Sequence, residues 1–187
     1  MSWRGRLLVA SPLMGDPNFK RTVVLLLAHG EEGALGVVLN RPQAVPLAER
    51  LPHWEGLAAQ PAVLFEGGPV ASDSAIGLGL VSAGRTHPSS PPRDLSSFSI
   101  LHDRVATVDL SAIPQPGLDK VRVFAGYAGW GSGQLESEVE AAAWFVVASR
   151  PTDAFSDDPE GLWRTVLRRQ KGDLRLLGSY PDDLSAN

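Results

Sequence analysis

The chain has 187 residues, a formal net charge of −4, 43% hydrophobic and 20% charged residues, and no cysteine. That length and balance describe one soluble globular domain with a sizeable core, and the acidic charge argues against bulk attraction to nucleic acid or an anionic membrane surface. Without cysteine, disulfides, thiol catalysis and thiolate metal sites are excluded.

In chain order, Arg6 to Ser11 reads as a strand ending at Pro12, and residues 13–20 form a loop with Gly-Asp and Asp-Pro turn signals. Thr22 to His29 and Ala34 to Asn40 are β-rich runs around Gly30-Glu-Glu-Gly33, a hairpin with a four-residue loop. The first arm is nearly all apolar, so both its faces are expected to be buried. Its longest apolar run, Val23 to Ala28, is too short to span a bilayer. The first ten residues lack the long apolar region of a secretory signal, and the expected location is cytoplasmic.

Pro46 to Leu51 suggests a short helix, and Ala62 to Glu66 and Ala75 to Val81 are strands on either side of Gly67-Gly68-Pro69. His87 to Arg93 is the most loop-like stretch. Phe98 to His102 and Val105 to Leu110 form another hairpin around Asp103-Arg104. Trp144 to Ala148 fits strand or helix equally by periodicity. A last helix is framed by Asp157 or Asp158 as cap, Pro159 at its first position and Gly172 at its end, with Leu162, Trp163, Val166 and Leu167 as its apolar stripe. Leu174 to Leu177 reads as a final strand. The expected organisation is one domain over 1–178 with a tail over 179–187. Strands outnumber helices without regular alternation, so the fold class is α+β, with mixed or antiparallel sheets flanked by a few helices.

The chemistry-bearing stretch is Gly126 to Val139. An apolar strand with Val121, Val123 and Phe124 runs into a glycine-rich loop carrying Tyr127 and Trp130, and a helix then opens with Glu136, Glu138 and Glu140. Gly131-Ser-Gly133 lacks the third glycine of a dinucleotide fingerprint, and Ser132-Gly133 stand where a phosphate-binding loop needs Lys and Ser or Thr. Three acidic side chains near the helix start would also repel a phosphate. With Gly133 or Ser132 as N-cap, Glu136 falls near N3, a capping position. Leu135, Val139, Ala142 and Ala143 form the buried stripe, and Gln134 and Glu138, four apart, share one border of it.

If His29 pairs with Ala34 across the first hairpin, Thr22 faces Arg41 and Asn40 faces Val23. Arg21, Asn40 and Arg41 then gather with Asp16 at the open end, roughly 23 Å from His29 at strand rise. That cluster is either an ion-paired loop anchor or a ligand-binding edge. The four histidines show no ligand spacing, so no metal is expected, and no cofactor motif is present. Arg164, Arg168 and Lys171 share one helix face with Arg169 adjacent, the only basic stripe, at a helix end where the dipole alone favours it.

Four separated motifs occur in order: Asp16-Pro-Asn-Phe19 with Arg21; His29 leading to Gly33-Ala-Leu-Gly36 and Asn40-Arg41-Pro42; Gly67-Gly68-Pro69; and Tyr127, Trp130, Gln134, Leu135, Glu136 and Glu138. Together, from about Leu8 to Leu176, they resemble the AlgH/YqgE family of bacterial proteins, which has no established biochemical activity. The resemblance implies an AlgH-like α+β fold and carries a regulatory label linked to exopolysaccharide control. Many relatives have Asp-Asn where this chain has Ala141-Ala142, and some have a cysteine where it has Leu27. A thiol mechanism and an amide role at position 142 are thereby excluded here.

The reading that follows is a non-catalytic small-molecule-binding or regulatory protein. Its pocket would be lined by the segment from Gly126 to Glu138, contributing Tyr127, Trp130, Gln134, Glu136 and Glu138. Gly67, Gly68, Asp16, Arg21, Asn40 and Arg41 are candidate walls. The alternatives are an enzyme using Glu138 or Glu136 as acid and base, and a DNA-associated transcriptional regulator acting through the last helix. The expected partner is a small molecule or a protein, not nucleic acid or membrane.

Overall fold

A computed structural model describes residues 2–83, 98–114 and 116–181. Its ten strands are β1 (Leu7–Ala10), β2 (Val23–Gly30), β3 (Gly33–Val38), β4 (Pro42–Pro46), β5 (Val63–Glu66), β6 (Val70–Val81), β7 (Phe98–His102), β8 (Val105–Val108), β9 (Leu118–Trp130) and β10 (Trp144–Val147). The helices are α1 (Leu47–Arg50), α2 (Gln134–Glu140), α3 (Leu162–Arg168) and α4 (Asp173–Leu177), with a 3-10 turn at Pro52–Leu57.

The strands run β10-β1-β2-β3-β9-β6-β8-β7 across one sheet, with β4 and β5 joined to it through β9. Every pair of strands is antiparallel except β5 with β9. The α+β expectation therefore holds in its coarse form, with the sheet almost wholly antiparallel. Among the described residues no helix is long and apolar enough to cross a membrane.

The middle strands are apolar on both faces because both faces are covered. Leu7, Val9, Val23, Leu25 and Val37 point into a core shared with Trp163, Val166 and Leu167 of α3. The alternating residues Leu8, Ala10, Val24, Leu26 and Val38 pack on the other side with Leu135 of α2, Trp130 and Trp144. Strand periodicity of two thus sends one contiguous run into two cores. A third cluster, with Leu47 and Trp54, covers β6, β8 and the first half of β9.

The first hairpin begins in the expected register, His29 opposite Ala34, but Gly30 also pairs with Gly33, so the tip is only Glu31-Glu32. At Leu27 a bulge shifts the pairing, and Leu26 faces Gly36. Beyond that point every partner moves by one residue from the register read in the sequence. β4 was not anticipated, and residues 174–177, expected as a strand, are the helix α4. α3 starts later than expected: Asp158 Oδ1 accepts the Gly161 N–H at 3.1 Å and Pro159 lies in the turn before the helix. Residues 87–93 of the loop-like stretch and 182–187 of the tail lie outside the described residues.

The largest departure concerns the glycine-rich stretch, most of which is strand. β9 continues through Trp130, and only residues 131–133 remain as a connection to α2. Its Gly126 serves close backbone packing. Gly126 has φ +70°, and a Cβ there would lie 2.6 Å from the Gly68 carbonyl oxygen. Gly68 (φ +150°) would in turn place a Cβ 2.2 Å from the Tyr127 carbonyl carbon. On the other edge of β9, Val70 faces Tyr127 and Ala75 faces Ala125, so residues 71–74 of β6 bulge out opposite Gly126 alone.

A buried arginine closes the fold. The Arg122 guanidinium, on β9, lies 4.3 Å from the centre of the Phe65 ring and donates to the carbonyls of Gln60, Ala154 and Ser156. Burial pushes its pKa down to about 10, partly offset by Asp157, which leaves it charged at neutral pH.

Gly126→Ala is expected to destabilise the fold by about 2 kcal/mol or more, combining a left-handed backbone penalty with a steric clash. Calorimetry should show the melting temperature falling by roughly 4–8 °C.

Candidate functional site

Glu138, on the inward border of α2, accepts three hydrogen bonds. Its Oε2 receives the indole N–H groups of Trp130 (3.0 Å) and Trp144 (2.8 Å), and its Oε1 receives Gln134 Nε2 (2.9 Å). Gln134 Oε1 then accepts the Gly131 N–H at 3.0 Å. The spacing of four between Gln134 and Glu138 thus makes the contact that the helix geometry predicted. The two indoles meet edge to face at 5.9 Å, and the Phe19 ring packs on Trp130 at 6.0 Å and on Trp144 at 5.4 Å. This unit joins the end of β9, α2, the start of β10 and the 16–19 loop. With both oxygens engaged by fixed donors, the carboxylate acts as an acceptor hub and is poorly placed to trade protons with a substrate.

Glu136 does not cap its helix. The N-cap is Gly133, and no side chain caps it. Glu136 instead places Oε1 3.1 Å from Nε2 of His29, out of hydrogen-bonding alignment. His29 Nδ1 accepts the Trp3 N–H at 3.1 Å, and the Trp3 ring stacks on the imidazole at 4.7 Å. His29 therefore ties the first residues and the hairpin tip to α2, a role that spacing along the sequence does not reveal.

Tyr127 is not brought together with Trp130; it packs in the α3-side core. Gly67 and Gly68 lie against β9, backbone on backbone, and leave no open loop. The cluster at the open end of the hairpin does assemble, through backbone carbonyls. Asn40 Oδ1 accepts the Val23 N–H and its Nδ2 donates to the Arg21 carbonyl, each at 2.9 Å, so the amide extends the ladder between β2 and β3. Arg41 donates to the carbonyls of Pro17 (2.9 Å) and Lys20 (3.4 Å). Asp16 Oδ1 accepts the Asn18 N–H within its own turn at 2.8 Å. Arg21 stands 4.5 Å over the Trp163 ring and donates to the carbonyls of Tyr180 and Pro181.

Between these supports lies a hollow of about 430 Å³. Residues 11–15 form one wall, residues 141–143 at the C-terminal end of α2 a second, and Phe145, Leu177 and Tyr180 the remainder. The lining is mainly apolar. Ala142 adopts φ +56° there and is exposed, off the helical stripe assigned to it.

Of the basic stripe at α3, Arg164 is engaged inside the protein, whereas Arg168 and Lys171 are exposed. Arg164 donates to the carbonyls of Gly178 (3.1 Å) and Tyr180 (3.0 Å). Arg169 grips the buried Asp153 with two bonds of 2.5 and 2.7 Å. Among the described residues no group of three or more His, Asp or Glu is arranged to hold a metal.

The AlgH-like family model (DUF179) matches residues 7–175. The chain belongs to the AlgH-like family. It is 51% identical over 189 residues to a UPF0301 protein of Streptomyces coelicolor, covering 100% of this chain and 96% of that one. A UPF0301 protein of Thermobifida fusca is 42% identical, again with 100% of this chain and 96% of the relative covered. A crystal structure of a Corynebacterium diphtheriae protein superposes with TM-score 0.85 at 32% identity, covering 94% of this chain and 91% of that one. The solution structure of the AlgH protein from Pseudomonas aeruginosa gives TM-score 0.66 at 30% identity, covering 98% and 96%. The resemblance read from the four motifs thus identifies the family.

Two outcomes test this geometry. Glu138→Gln replaces one accepting oxygen by a donor and is expected to lower stability by about 1–3 kcal/mol, read from the urea midpoint. Ala142→Gly relieves a left-handed alanine and is expected to gain roughly 1 kcal/mol, raising the melting temperature by about 2–4 °C.

Proposed function

We propose that this AlgH-like protein is a non-catalytic, cytoplasmic binding protein whose ligand is a small apolar molecule held in the hollow beside α2. One observation carries the reading: residues singled out in the sequence fasten three segments that line or adjoin one cavity. Glu138, Trp130 and Trp144 hold α2, which presents residues 141–143. Arg21 fastens the carbonyls of Tyr180 and Pro181. Arg41 holds residues 17 and 20, just beyond the 11–15 wall. The site residues are supports, and what they support is a mainly apolar concavity of ligand size.

The saturated carboxylate of Glu138 favours binding over acid–base chemistry. The internal engagement of Arg164 and of the adjacent Arg169 leaves Arg168 and Lys171 as the exposed part of the basic stripe, a small footprint for DNA. A regulatory role through a ligand-dependent partner is compatible with this architecture.

The test is a thermal-shift screen with apolar small molecules on wild type, Ala141→Trp and Glu138→Gln. A ligand at 100 times its Kd should stabilise wild type by about 2.7 kcal/mol. Ala141→Trp, which fills the hollow, should abolish the shift, whereas Glu138→Gln should keep a smaller one on a lower baseline. A shift that survives Ala141→Trp places the ligand elsewhere, and a blank across the panel removes the small-molecule reading.

A further inference from the structure

A second hollow, of about 580 Å³, lies on the opposite part of the sheet between α1, β4, β5 and the bulge of β6. Leu51, Leu64 and Val123 contribute an apolar floor, continuous with the cluster around Leu47 and Trp54. Its polar lining includes Arg50 from α1 and Ser72, Asp73 and Ser74 from the bulge. The bulge is imposed from below. Gly126 forces four residues of β6 opposite one of β9, Ala71 takes φ +47°, and a Cβ on Gly126 would lie 2.8 Å from the Val70 carbonyl oxygen. Bulges of this kind redirect side chains beside binding sites.

The contrast with the α2 site lies in how the polar groups are used. There, Glu138, Gln134, Asn40 and Arg41 are all bonded within the protein. Here, among the described residues, Arg50 and Asp73 form no ion pair with each other, and neither they nor Ser72 and Ser74 have a side-chain hydrogen bond within the protein. One cation and one anion thus share the lining of an apolar-floored cavity without neutralising each other. We propose that this hollow binds an apolar amino acid as its zwitterion. Arg50 takes the carboxylate, Asp73 takes the ammonium, Ser72 and Ser74 flank the two head groups, and the side chain rests on Leu51, Leu64 and Val123. The site is independent of the hollow beside α2, and either can fail without the other.

The probe is L-leucine, titrated at millimolar concentrations into the ¹⁵N-labelled protein. Backbone amide resonances of residues 72–75 and of Ala125 are expected to move. Arg50→Gln and Asp73→Asn, both at exposed positions, should each weaken binding about tenfold, equivalent to ~1.4 kcal/mol. N-acetyl-L-leucine, which lacks the ammonium, and isoamylamine, which lacks the carboxylate, should each bind more weakly than leucine. Ala141→Trp should leave leucine binding unchanged, separating this site from the other. Unmoved resonances at 72–75 overturn the proposal, as does wild-type affinity for leucine in both charge variants or N-acetyl-L-leucine binding as tightly as leucine. Shifts confined to residues 141–143 overturn it as well.

Discussion

The architecture depends on a contact with no side chain in it: Gly126 on β9 lies directly against Gly67 and Gly68. β9 is shared by both halves of the sheet, pairing with β6 and β5 through its first ten residues and with β3 through its last three. A strand that changes neighbours on one edge has to bend, and Gly126 supplies the left-handed conformation at the change. The close approach lets β5 enter beside β9 in parallel, with the Val38 N–H donating to the Gly67 carbonyl at 2.8 Å. It also displaces residues 71–74 on the other edge. One backbone constraint therefore sets the insertion of β5 and the shape of the second hollow.

The second determinant is the choice of a carboxylate at position 138. Two indole N–H groups and one amide N–H converge there, and only an acceptor-only group with two oxygens satisfies all three without introducing a donor of its own. Such bonds are charge-assisted, and the side chain is only partly buried, so its desolvation cost stays moderate. The arrangement fixes α2, a seven-residue helix with no side-chain cap, which has little stability of its own. An acidic residue that looks catalytic in a motif is here the element that makes a short helix rigid.

Much of the strand pattern was legible because apolar periodicity and turn residues agree: β1, β2, β3, β5, β7 and β8 fall within a few residues of their expected positions, whereas residues 144–148, open between strand and helix, are the strand β10. The Gln134–Glu138 pair was legible from helix geometry alone. What escaped depends on tertiary contacts. Four glycines in eight residues resemble a loop, yet Gly126 and Gly129 lie within a strand, Gly126 in close backbone packing, and nothing local separates the two uses. The bulge at Leu27 leaves no compositional trace, so the hairpin register was read correctly at its tip and wrongly beyond it. Leu174 to Leu177 is too short for periodicity to distinguish helix from strand. Arg122, Asp153 and Trp3 act on segments distant in the chain and carried no signal in the sequence.

Positions 141 and 142 show how backbone and side chain are separable at the first hollow. Ala142 occupies the left-handed region just after the C-terminal end of α2, where glycine or asparagine relieves strain. This chain has alanine there, with the penalty of a left-handed alanine, on the order of 1–2 kcal/mol. Ala141 and Ala142 both line the hollow. Neither brings a polar side chain to the wall, and the polar supports of α2, Glu138, Trp130 and Trp144, stand outside the lining. Backbone and side chain are set by different means: hydrogen bonds to Glu138 fix where the end of α2 lies, while the side chains at 141 and 142 decide that the wall it presents is apolar.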